Sequence, residues 1–171
     1  MTAANTERFL FLLEVCHKEA ILLVGTRQRL FIKSIDSAWV ESLKGEPELA
    51  ERVDAFVSRF GRLQDNIGDK LVPELRRQML ETPGSALDNL NRMEKLGLLE
   101  SIIDWVEARN LRNRLVHEYM DDSQYFAGAL DRANQLVPLL VDTNNRINAY
   151  AKTHFGDKQT HWPETVQIEI S

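Results

Sequence analysis

The sequence predicts an all-α protein folded as an up-and-down bundle of about five helices. Two observations carry that expectation. Apolar residues recur at steps of three and four almost throughout the 171 residues, and proline (5) and glycine (8) are too scarce to interrupt them often.

The first periodic run predicts a helix from about Thr6 to Arg29, with Phe9, Leu10, Leu12, Leu13, Cys16, Ala20, Leu23 and Val24 on its wide apolar stripe. Asn5 or Thr6 is the expected cap, because these side chains accept from the free amides of a first turn. A short helical piece from about Asp36 to Lys44 follows and stops at Gly45. Glu46-Pro47-Glu48 then opens a long helix, since proline is tolerated in a first turn and acids suit its positive end. Leu49, Val53, Phe56, Val57, Phe60, Leu63 and Ile67 lie on one side of it, and Pro73 is expected to kink it or split it in two. Thr82-Pro83-Gly84-Ser85 is a clear break, after which Ser85 or Asp88 caps a helix running to Leu96. Beyond Gly97 a further helix is expected over about Leu98 to Tyr119. Asp121-Asp122-Ser123 is the next turn, and a last long helix runs from about Ser123 to Lys152 with a kink at Pro138.

The length suits one domain, read as residues 1–155, followed by a polar tail at 156–171 that is expected to be loose. Hydrophobic residues make up 43% and charged ones 27%, the balance of a soluble globular chain. No apolar run approaches the ~20 residues that span a bilayer. The first residues, Met1 to Arg8, lack the basic-then-apolar order of a signal peptide, so a cytoplasmic, reduced protein without membrane association is expected. Cys16 is the single cysteine, which excludes an internal disulfide and a zinc motif built on paired cysteines. It is read as core or surface filler. The net charge of −5 argues against a nonspecific nucleic-acid coat but leaves room for chemistry at one local basic site.

One segment carries chemistry. On a wheel at about 100° per residue, Glu100, Asp104, Glu107, Arg114 and Glu118 share an arc expected to be solvated. Leu98, Leu99, Ile102, Trp105 and Val106 lie opposite and are expected to face the bundle, and the same arc continues into Arg109, Arg112, Asn113, Val116 and His117. An apolar face that turns basic and polar is costly to bury unless its groups are paired or open to a cleft. Asn113 and His117 share a stripe, whereas Arg112 and His117 do not converge from one helix. Two copies facing each other would bring them together, which favours a symmetric homodimer. A purely structural account also exists. Arg112 pairs with Asp65 or Asp69 of the long second helix in that account, and cations near a helix C-terminus are favoured whatever the function.

The string Arg112-Asn113-Arg114-Leu115-Val116-His117-Glu118-Tyr119 resembles the R-x4-H-x-Y signature of the HepT group in the HEPN superfamily, with the asparagine usual after its arginine. A looser likeness runs over roughly residues 6–152 and includes Phe60-Gly61-Arg62-Leu63-Gln64-Asp65. The resemblance implies a metal-independent endoribonuclease without cofactor, the toxin of a toxin–antitoxin pair. In it, Arg112 and His117 are catalytic and Asn113 orients His117 or donates to a phosphate oxygen. It implies a nucleotidyltransferase antitoxin as partner, which attaches adenylate to Tyr119. The bland role for Tyr119 is packing at the helix end. A different class of function stays open beside this one: a non-catalytic helical subunit that binds nucleotide or substrate for a nucleotidyltransferase.

Overall fold

The computed structural model describes residues 2–168 apart from 118–121, and for His117 the backbone only. Among these residues all regular structure is helical, and none of the helices is long and apolar enough to cross a membrane. The all-α expectation holds.

Helix α1 spans Ala3–Leu30. Its cap is Thr2, whose hydroxyl accepts from Asn5 N at 3.3 Å, and not Asn5 or Thr6 as expected. Asp36 caps the short α2, Ser37–Ser42, by accepting from Trp39 N at 2.8 Å, and a 3-10 turn closes it at Gly45. Pro47 opens α3, Pro47–Asp65, as read from the sequence.

Pro73 does not break the rod. Helix α3 passes through a wide π-turn, Asn66–Leu71, straight into α4, Val72–Gln78. Val72 donates to the carbonyl of Ile67, five residues back, so the extra residue is absorbed just before the proline. In a regular α-turn the Pro73 ring would meet the carbonyl of residue 69 and leave it unpaired; the widened turn relieves both problems.

The loop after α4 ends in a capping box, with Ser85 Oγ accepting from Asp88 N at 3.2 Å and Asp88 Oδ2 accepting from Ser85 N at 3.3 Å. Ser85, not Asp88, is therefore the cap of α5, Ala86–Lys95. Gly97 then takes φ +74, where a side chain is disfavoured, and the chain turns sharply. Helix α6 is shorter than expected, Ile102–His117, because Leu98 to Ser101 belong to that turn. Ser101 Oγ accepts from Asp104 N at 3.1 Å, and Glu94 Oε2 accepts from Ile102 N at 2.8 Å. Asp122 caps α7, Ser123–His154, which carries Pro138 inside it.

A single apolar core joins these helices, with Phe9, Phe56, Phe60, Trp105 and Phe126 buried at its centre. Helix α1 lies against α3, α4 and α7, and α6 is held between α3 and α7. The tail is not loose where described: Asn145 receives Val166 N at 2.9 Å and donates to Val166 O at 3.0 Å, and Val166 is buried. One asparagine thus satisfies both backbone groups of a buried residue outside any helix.

Leu80 stands in the left-handed region at φ 62 while its side chain is 79% exposed, so it bears backbone strain with little burial in return. Leu80→Gly is expected to stabilise the fold by about 0.5–1 kcal/mol, the left-handed penalty less the added chain entropy of glycine, read as a small rise in melting temperature. Burial pushes the Cys16 thiol up to about 12, with Glu19 adding to the shift, so it stays protonated and closed to reagent. It is expected to ignore a disulfide reagent at pH 8 in the native protein and to react at once in denaturant.

Candidate functional site

The turn at Gly97 resets the phase of α6, and with it the meaning of the motif. The residues buried on α6 are Trp105, Ala108, Leu111 and Leu115. Val106 is 38% exposed, Ile103 79% and Val116 56%, so the inward face expected from Leu98 and Leu99 is displaced around the helix. Those two leucines are buried from within the turn and never shared a helical wheel with Trp105. Arg109 and Asn113, expected to continue an inward arc, are exposed. The anomaly is therefore reversed: the outward face carries apolar side chains, rather than the inward face carrying polar ones.

That outward face has a regular step. Ile103, Val106, Asn110 and Asn113 follow the three-four spacing of a helix–helix seam, and position 117 is the next in register. It lies opposite the buried stripe. On the flank between the two, Arg112 leans onto α3. Glu107 and Arg132 hold the other flank to α7, with Nε–Oε2 at 2.5 Å and Nη2–Oε1 at 3.0 Å. The hydrogen bond from Arg132 keeps the Glu107 carboxyl below the usual range.

Arg112 is held by one neighbour on α3 and one on its own helix. Its Nη2 is 3.2 Å from Asp65 Oδ2, and its Nη1 donates to Asn113 Oδ1 at 3.3 Å. Of the two aspartates the sequence offered, Asp65 is the partner. The side chain crosses α3 directly over Gly61, where a Cβ would stand 2.9 Å from Arg112 Cγ and 3.0 Å from Nε. Only a residue without a side chain admits this approach. Arg112 and Asp65 are each 39% exposed, so the ion pair faces solvent and adds at most about 1 kcal/mol.

Alongside this contact runs an open groove of about 490 Å³. Leu115, Val116 and Val57 give it apolar walls, and Arg112, Arg62, Ser58 and Asp54 give it polar ones. Arg62 is itself steadied by Glu19 at 3.3 Å and by Ser58 Oγ at 3.2 Å. The arrangement offers two guanidiniums beside a slot large enough for a small organic group. Asp54 and Ser58 were not read from the sequence. The signal for them was present: positions 54, 58, 61, 62 and 65 are the small and polar residues on one side of α3, including the Gly61–Asp65 stretch already noted.

Of the residues singled out in the sequence, the structure joins Arg112 to Asn113 by a hydrogen bond, and of these two Arg112 lines the groove. His117 is the last residue of α6, its side chain outside what is described. Tyr119 and Asp121 lie outside the described residues. Among the described residues no three His, Cys, Asp or Glu side chains gather as a metal site.

The Gly61 contact makes a direct test. Gly61→Ala is expected to cost about 1–2 kcal/mol through overpacking, because Arg112 Cγ is too near the backbone to swing clear. In an Arg112→Ala background most of that cost should vanish, a non-additivity read from a denaturant double-mutant cycle. Equal costs in both backgrounds would refute the contact.

The chain matches no family model, no curated protein and no solved structure.

Proposed function

We propose that this chain is a metal-independent endoribonuclease of the HepT-like kind, active as a twofold dimer and silenced by a nucleotidyltransferase that adenylylates Tyr119. The observation that supports it is the setting of Arg112: a guanidinium placed over Gly61 at the rim of an open groove, not sealed in the core. The outward row on α6 supports the dimer. Ile103, 79% exposed, and Val106 leave apolar surface in water that a second α6 would cover. Facing helices would also bring Arg112 of each copy toward His117 of the other.

In this reading, neutral His117 takes the proton of an RNA 2′-hydroxyl, and the freed oxygen attacks the adjacent phosphorus. The 5′-oxygen leaves with a proton returned by a protonated imidazole, which yields a 2′,3′-cyclic phosphate and a 5′-hydroxyl end. Arg112 exchanges Asp65 for the phosphate and steadies its charge. That exchange costs little, because a solvent-exposed ion pair is worth ~0–1 kcal/mol whereas charge-assisted contacts to phosphate are stronger. Adenylate on Tyr119 would place an anion beside this cation and close the cleft.

The Arg112–Asp65 pair also favours a second reading, since it neutralises the one guanidinium the chemistry needs, on a chain of net charge −5. The chain would then be a non-catalytic helical subunit that binds nucleotide or substrate for a nucleotidyltransferase.

Incubation of the purified chain with RNA in the presence of chelator separates the two. Cleavage to cyclic-phosphate ends is expected, slowed at least ~100-fold by His117→Ala and by Arg112→Ala, with melting temperatures held. Wild type should arrest growth on expression and His117→Ala should not. Nucleotide binding that Arg112→Ala abolishes, with no cleavage by wild type, would establish the second reading instead.

A further inference from the structure

A polar basin of about 570 Å³ opens where the start of α1, the π-turn, α4 and the loop before α5 meet. Arg8 of α1, Lys70 of the π-turn and Arg77 of α4 line it, with Asp69 and Glu74 as its acids. None of these residues belongs to the groove beside Arg112.

Glu74 governs the arrangement. Its side chain is only 8% exposed, and one oxygen, Oε1, takes both Arg8 Nε at 3.3 Å and Arg77 Nη1 at 2.5 Å. The other oxygen is buried and has no hydrogen-bond partner among the described residues. A buried carboxylate used this way is a poor device for stability, since well-packed apolar residues do as well or better. What it achieves is to draw two guanidiniums from different helices onto one atom. Each guanidinium carries five N–H donors. Arg8 and Arg77 stay 58% and 43% exposed, so the donors not given to Glu74 are open to a ligand. Three cations against two carboxylates leave this basin positive on a chain whose net charge is −5.

We propose that the basin binds a phosphate group, carried by a free nucleotide or by the backbone of an RNA strand. Arg8, Lys70 and Arg77 are its ligands, and Glu74 positions the two arginines. A lone carboxylate ligand is satisfied by one arginine fork, whereas three converging cations suit a group with more charge and more acceptor oxygens. The polar walls suit phosphate and ribose, and the volume lies within the range of small-molecule sites, roughly 300–1,000 Å³. The π-turn that carries Lys70 is a feature that recurs at functional sites.

The test is calorimetric titration of the full chain with inorganic phosphate, with AMP, and with a 2′-O-methyl RNA octamer that cannot be cleaved. Arg8, Lys70 and Arg77 are exposed, so their alanine variants keep the fold, as cooperative melts will verify. Each is expected to weaken binding about tenfold or more, the scale of one charge-assisted hydrogen bond. Lys152→Ala, which removes an exposed cation outside both the basin and the groove, should leave binding of all three unchanged, which separates the site from a general effect of charge. Variant-sensitive binding of AMP identifies a free-nucleotide site; variant-sensitive binding of the octamer alone identifies a backbone contact. Glu74→Gln should weaken phosphate binding, and combining it with Arg77→Ala should add little further loss, a coupling that a merely structural role would not give. Binding that is absent for all three ligands, or equal in wild type and the three alanine variants, overturns the proposal.

Discussion

The bare backbone at Gly61 lets α6 approach α3 closely enough for Arg112 to lie across it. Everything specific about the groove depends on that approach. With the guanidinium so placed, Asp65 reaches it from the next turn of α3, and Leu115 from the next turn of α6 becomes an apolar wall. The opposite flank of α6 is tied to α7 through Glu107 and Arg132. A helix fixed on two flanks presents one remaining arc to solvent, and that arc bears Ile103, Val106 and Asn113.

The rod formed by α3, the π-turn and α4 joins the two polar regions of the molecule. Its first half supplies Asp54, Ser58 and Arg62 to the groove and Asp65 to Arg112, and its second half supplies Lys70, Glu74 and Arg77 to the basin. A break at Pro73 would have uncoupled them. The widened turn instead lets the chain pass a proline without losing the helix, because the extra residue moves the obstructing carbonyl away from the ring. The shared electrostatic pattern is as informative. Arg112, Arg62 and the Arg8–Arg77 pair each rest on a carboxylate, which holds the cation in place. An acidic chain can in this way keep local cationic sites without a broad positive surface.

Local signals were readable where a few neighbouring residues settle the outcome. The three-four apolar spacing marked the helical class, Asp36, Pro47 and the Ser85–Asp88 pair marked helix starts, and Gly97 marked a turn. The misreadings share a cause. Thr2 begins α1 earlier than its apolar pattern does, since a first turn in solvent needs a cap and no apolar residue. The apolar face of α6 was placed wrongly because Leu98 and Leu99 are apolar and adjacent, yet belong to a turn whose burial has no helical period.

Sequence by itself determined the all-helical class, most of the punctuation between helices, and the string at 112–119 that directed attention to Arg112. Those features depend on backbone preference and on spacing within a turn or two, which travel with the residues. Tertiary structure decided which side of α6 faces inward, that Asp65 rather than Asp69 meets Arg112, and that Arg8 and Arg77 converge on Glu74. Contacts of that kind depend on the rotation and separation of helices distant in the chain, and no local preference encodes either.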